Sequence, residues 1–255
     1  MISWVCCKAR DDRFERHLRP SLEVQRERYG AELVLVSHPS SIFAAYEEGR
    51  RRAAHDVVVY VHDDVEVLDP FASEKIARAF AERPRAGLVG LCGSRERELL
   101  PWWHNRGPRV GHWVERARGG GLLYFWSTGR RFAREPIPEG ETWRAWQERA
   151  PARSFRGLDP AGLLDGLLLA EHRGRLDLPW DTQTYSGWHA YDADRCLQAH
   201  AAGLEVLAAD VLAGHFESPH GNSWMLDASR SFAAARRKWG LRRSRRYRLL
   251  RHPWS

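Results

Sequence analysis

Apolar and polar blocks alternate along the first third of the chain. ISWVCC (2–7), ELVLVS (32–37), DVVVYV (56–61) and AGLVGLCG (86–93) are short, apolar and β-prone, and each predicts a strand. Residues 13–28 are charged with scattered apolar positions and predict a helix. SSIFAAYEEGRRRAA (40–54) begins with serines suited to an N-cap and continues as an Ala-rich helix. Asp69 followed by Pro70 marks the start of another helix over 71–83. The run through 56–61 shows no polar alternation, which fits a strand covered on both faces, as in parallel sheets. Strands and helices in this order indicate βαβ units with right-handed crossovers, and hence an α/β fold with a mostly parallel central sheet.

Residues 94–160 lose the rhythm. They hold Trp102, Trp103, Trp113, Trp126, Trp143 and Trp146, a GGG at 119–121 and several prolines, and predict loops with short strands and helices. Order returns at DPAGLLDGLLLAEHRG (159–174), read as a turn and then a strand over 163–170. YDADRCLQAHAAG (191–203) predicts a helix with acids in its first turn and Gly203 at its stop. LEVLAADVLAGH (204–215) predicts one or two short strands ending in His215. With no repeat and no linker, 1–227 reads as a single domain whose halves are 1–93 and 94–227, followed by a tail, 228–255.

Composition adds little until charge is placed along the chain. The 255 residues are 43% hydrophobic and 29% charged, ordinary for a soluble globular protein, and long enough for one large domain. The formal charge of +7 is a property of the tail: ten of the 40 basic residues follow Asp227, where no acid occurs. The body therefore carries no basic groove, and nucleic acid is not an expected partner. In the tail the basic residues are interleaved with Trp239, Leu241, Tyr247, Leu249, Leu250 and Trp254. That mixture suits peripheral contact with an anionic membrane, or equally a helix packed on the body with a solvated basic face. MISWVCC is too short for a signal peptide and no 18-residue apolar run exists, so the expected location is the cytoplasm. The four cysteines include no C-x-x-C, which argues against a structural zinc site, and Cys6 and Cys7 on one strand point to opposite faces.

His62, Asp63 and Asp64 follow directly on the apolar run of the third strand. Adjacent carboxylates repel and are costly to desolvate, so a positive partner is expected there. In open α/β sheets ligands bind outside the carboxyl ends of the strands, which is where these residues fall. Asp165 and Gly166, Asp192 and Asp194, and His215 are further candidates. On a helix Asp192 and Asp194 lie about 200° apart, so both cannot face one hydroxyl.

In this order the segments FAAYEEGRRRAAHDVVVYVHDDVEV, LLDGLLLA, GWHAYDADRCLQAHAAGLEV and VLAGHFESPHGNSW resemble the glycosyltransferase family 2-like proteins of the GT-A fold, over most of 1–225. The resemblance implies a Rossmann-like sheet flanked by helices, an irregular acceptor-side region and a basic helical tail. It implies a metal-dependent inverting glycosyltransferase that moves a sugar from a nucleotide-diphosphate sugar to an acceptor hydroxyl of a carbohydrate or other molecule. A diphosphate leaving group calls for a divalent cation, and hard oxygen ligands suit Mg²⁺ or Mn²⁺, the latter also accepting imidazole. Carried over, Asp64 and His215 are the metal ligands. Asp192 is the general base with Asp194 as its rival, and the helix dipole keeps Asp192 ionised near neutral pH. Cys7, Ser37, Asp63, Asp165, Gly166 and Trp188 line the donor and acceptor positions, Asp63 on the ribose or donor sugar and Trp188 stacking on the acceptor. Glu47, the His-Asp-Asp order and Tyr191 before Asp192 depart from the family pattern. A metal-dependent nucleotide-sugar hydrolase or nucleotidyltransferase, and a non-catalytic binding protein on the same scaffold, remain alternatives.

Overall fold

The protein is seen here as a computed structural model that describes residues 1–97, 107–117, 120–141, 145, 157–216 and 223–241, with side chains throughout except at 223–226. Strand β1 (Ile2–Lys8) leads into a helical run made of α1 (Asp11–Arg13), a π-helical turn (Phe14–Leu18) and α2 (Arg19–Tyr29). There follow β2 (Glu32–Ser37), α3 (Ile42–Arg52), β3 (Val57–His62), β4 (Val65–Val67) and α4 (Ala72–Glu82). Ser41 caps α3 by accepting from the Ala44 N–H at 3.1 Å, as the serines at 40–41 predict. Asp69 does its expected work one step early: its Oδ1 accepts from the Phe71 N–H just before α4.

The expected strand over 86–93 is two strands, β5 (Ala86–Gly90) and β6 (Cys92–Ser94), which belong to different sheets. The segment after it is more ordered than its composition suggests. β7 (Arg109–Arg116), β8 (Leu122–Ser127) and β9 (Phe132–Ile137) form an antiparallel meander. Trp113 stacks on Phe125 and Trp126 on Tyr124, so these two tryptophans serve packing. Trp102, Trp103, Trp143 and Trp146 lie outside the described residues. The expected strand over 163–170 is also divided. After β10 (Leu158–Pro160), β11 (Leu163–Leu164) and β12 (Leu168–His172) are separated by a turn in which Asp165 Oδ1 accepts from the Leu167 N–H. The Asp-Gly pair behaves as turn chemistry here. Helix α5 (Tyr191–Ala201), β13 (Glu205–Ala209), β14 (Ala213–His215) and α6 (Ser223–Trp239) complete the order.

The main sheet runs β10-β13-β5-β12-β3-β1-β2, and five of its seven strands point the same way; β12 and β10 are antiparallel to their neighbours. Both faces are covered, as the unbroken apolar runs predict. Val5 and Cys7 join a core with Phe43, Tyr46 and Phe232, while Trp4 and Cys6 join another with Phe14, Leu18 and Phe80. The second sheet, also of seven strands, runs β11-β6-β7-β14-β4 with β8 and β9 of the meander attached to β7, and stands at the carboxyl end of β3. Helix α5 is fixed to the main sheet by a buried ion pair, Arg195 Nε to Glu171 Oε2 at 2.8 Å, and Glu171 Oε1 also accepts from the Tyr60 hydroxyl. Such a pair is costly to break from one side. The tail begins as α6, which crosses the expected boundary at 227 and buries Ala228, Ser231, Phe232 and Ala235 against the body. Up to Trp239 the described tail is thus a packed helix, and 242–255 lie outside the described residues.

Candidate active site

β3 ends at His62 and the chain turns immediately into β4, which pairs antiparallel with β14. That pairing brings His215 opposite Val65 and next to Asp64. His215 Nε2 lies 3.3 Å from Asp64 Oδ2, and the Arg13 guanidinium lies 3.7 Å from the same oxygen. Asp64 Oδ1 is buried and has no hydrogen-bond partner among the described residues. His62, Asp64 and His215 each offer one ligand atom, and the three atoms lie within 4.8 Å of one another. Burial alone would raise the Asp64 pKa, but the charge and hydrogen bond of His215, with His62 and Arg13, hold it below the usual carboxylate range. Burial would lower His215, and Asp64 raises it above the usual imidazole value. His62 is depressed by burial and stays neutral, the form that binds metals. Two imidazoles and a carboxylate with an unpartnered buried oxygen fit a divalent metal ion.

His62 is a third ligand candidate beside Asp64 and His215, the two that the family resemblance implies. Its spacing of two from Asp64 at a strand end, where alternate side chains share a face, is the signal that points to it. Tyr191, at the start of α5, places its hydroxyl on His62 Nε2. Gly166 makes room for it: a Cβ there would sit 2.0 Å from the Tyr191 hydroxyl oxygen. Tyr191 thus ties the histidine to the helix whose next residue is Asp192. Asp192 has its pKa raised to about 7, first by burial and then by the negative charge of Asp165, against the opposing N–H groups of Ala193 and Gly166. The helix N-terminus is therefore outweighed, and burial together with Asp165 disfavours the ionised form of Asp192.

The remaining expected residues divide. Asp63 Oδ2 accepts from the N–H groups of Ala9 and Arg10, each at 2.8 Å, so this carboxylate shapes the loop after β1. Ser37 is exposed at the end of β2, level with Lys8. Cys7 is not presented to a ligand: it is buried in the core, with its thiol pushed up to about 12 by burial and then by Asp63. Asp194 is not at the site either. It is 1% exposed, its Oδ1 accepts from Tyr185, Lys238 and Trp239, and its Oδ2 accepts from Gln198 and Lys238. Trp188, 39% exposed, stands just ahead of Tyr191 and Asp192. The π-helical turn at Phe14–Leu18 follows Arg13 and sets His17 Nδ1 3.0 Å from Glu66 in β4; such turns often mark functional sites.

A family model described as "Glycosyltransferase like family" matches residues 3–131, just over half of the sequence and inclusive of 62–64. The chain belongs to the glycosyltransferase-like family. The streptomycin biosynthesis protein StrF of Streptomyces griseus is 30% identical over 115 residues, 44% of this chain and 40% of StrF. GalNAc-T7, solved with UDP, GalNAc and Mn²⁺, is similar in structure with a TM-score of 0.50 and 12% identity, over 87% of this chain and 44% of that one. The chain thus spans less than half the length of either relative. The fold of this glycosyltransferase-like protein is that of the GT-A glycosyltransferases. Asp165, Trp188, Asp192 and His215 lie beyond the family match, so only their geometry speaks for them.

Proposed function

We propose that this protein is a metal-dependent, inverting glycosyltransferase that takes a sugar from a nucleotide-diphosphate sugar and places it on an acceptor hydroxyl. The observation that carries the reading is the group of His62, Asp64 and His215 tied through Tyr191 to a carboxylate held near neutral pH. Family membership and the GT-A fold support transfer from a nucleotide sugar.

His62, Asp64 and His215 would hold the ion, which when bound neutralises the charge that develops on the diphosphate. Arg13 beside Asp64 adds a fixed cation on the same side. Asp63 keeps the loop after β1 in place for the nucleotide, with Ser37 at its rim. Trp188 offers an exposed aromatic face for the apolar side of an acceptor sugar ring. Asp192 accepts the proton of the acceptor hydroxyl as that oxygen bonds to the anomeric carbon, while the nucleoside diphosphate leaves from the opposite side. One displacement inverts the carbon. Asp165 raises the basicity of Asp192 by its charge.

A thermal-shift screen of UDP-, GDP-, CMP- and dTDP-sugars, with Mn²⁺ and with EDTA, tests this. Stabilisation by one nucleotide class that requires Mn²⁺ is the expected result. Equal stabilisation in EDTA removes the metal from the account, and no stabilisation by any of the four removes the nucleotide sugar.

A further inference from the structure

Helix α6 holds the approach to Asp192 at two places. Near its start, Asp227 Oδ2 accepts from the Trp188 N–H at 2.9 Å, and the His189 Nε2 lies 3.9 Å from the same oxygen. Gly187 is needed for this approach, because a Cβ there would come within 2.3 Å of Asp227 Oδ1. At its end, Lys238 and Trp239 bond Asp194 at 2.9 and 2.7 Å. Eleven residues of helix separate the two contacts, roughly 16 Å. Between them, Ala190 sits in the left-handed region with φ of 66°, buried at 2% exposure. A residue with a Cβ is strained in that conformation, and it persists where the surroundings over-determine it. The Gly187 carbonyl accepts from the Ile42 N–H at 3.3 Å, so the turn is also tied to α3.

We propose that Asp227 is a positioning residue: by fixing the 187–190 turn, with Ala190 left-handed, it aims Trp188 and Asp192 at one acceptor. This rests on Asp192 being the base. Neither Trp188 nor Asp192 has another contact to α6 among the bonds described, so the turn is the link through which α6 reaches them. Asp227→Ala removes the acceptor of the Trp188 N–H. Asp227→Asn keeps an oxygen in its place. Gly187→Ala displaces the carboxylate without removing it.

The test uses the full chain, Mn²⁺ and whichever sugar nucleotide of the UDP, GDP, CMP and dTDP panel the wild type turns over fastest, with water as acceptor. Hydrogen exchange at the Trp188 amide is read alongside. Asp227→Ala and Gly187→Ala are expected to lower kcat about 10-fold or more with donor KM within about 2-fold, and to speed exchange at Trp188. Asp227→Asn is expected to restore most of both. Unchanged kcat in Asp227→Ala, or kcat and donor affinity lost together without rescue by Asn, overturns the proposal. Asp192→Asn in the same assay separates the two ideas: if it turns over like the wild type, the base assignment fails; if it is slow while Asp227→Ala is fast, only the role of Asp227 fails. Should Asp227→Ala not fold, Asp227→Asn and Gly187→Ala carry the same comparison, and exchange at Trp188 decides whether the turn has opened.

Discussion

The Tyr191 hydroxyl rests on His62 Nε2, and this contact exists only because residue 166 has no side chain. Strand end, turn and helix start meet at that point. Gly166→Ala would drive a methyl group to 2.0 Å from the hydroxyl oxygen, and Tyr191 or the turn must move. A loss of about 1–3 kcal/mol in urea unfolding is expected, with weaker Mn²⁺ binding as His62 loses its support. Tyr191→Phe keeps the ring and should cost little stability while still weakening Mn²⁺. Unchanged Mn²⁺ affinity in both variants would separate Tyr191 from the metal residues.

Mn²⁺ titration followed by electron paramagnetic resonance checks the ligand set without any substrate. Affinity should fall about 10-fold or more in each of His62→Ala, Asp64→Asn and His215→Ala. Imidazole nitrogen couplings should be present in the wild type and reduced in either histidine variant. Wild-type affinity in His62→Ala would leave Asp64 and His215 as the only protein ligands. Removal of the metal with EDTA should abolish turnover, and added Mn²⁺ should restore it.

Asp192, with its pKa raised to about 7, sets a pH dependence of known sign. Turnover should rise with pH up to about 7 and then level off, because the ionised carboxylate accepts the proton. Stability runs the other way. A carboxyl whose folded pKa lies above its unfolded value of 3.8 destabilises the native state as pH climbs from 3.8 to about 7, and the whole penalty remains above that. Asp192→Asn should therefore melt above the wild type at pH 8 and lose that advantage by pH 4. A turnover profile flat from pH 5 to 8 would contradict the assignment.

Asp194→Asn breaks a buried pair with Lys238 and weakens the bonds from Trp239 and Tyr185. A loss of ~3 kcal/mol or more is expected in chemical denaturation. At a temperature where the variant is folded, kcat should stay within about 3-fold of the wild type. A collapse of kcat with unchanged stability would restore Asp194 as the base.

What the sequence disclosed follows from what is local. The unbroken apolar run at 57–61 announced a strand covered on both faces, and the acids directly after it had to stand at a carboxyl end. His215 closing a short apolar stretch was legible for the same reason. What stayed hidden depends on contacts distant in sequence. The need for glycine at 166 is of this kind, because nothing nearby in sequence reveals that Tyr191 requires the space of a missing side chain. Asp192 and Asp194 look alike in sequence, and only α6, which buries one and leaves the other at the site, tells them apart. The meander of β7, β8 and β9 is obscured by its tryptophans and glycines, since Trp113 packs on Phe125 across the strands and Trp126 on Tyr124 along its own strand. Asp227 carries no sequence signal, because its partner is a backbone N–H 39 residues away.

The most direct measurement is single-turnover sugar transfer by Asp192→Asn, beside calorimetry of the same variant with the nucleoside diphosphate and Mn²⁺. The account predicts a rate at least ~10²-fold below the wild type, with diphosphate and metal affinities nearly unchanged. A rate close to the wild type would contradict it.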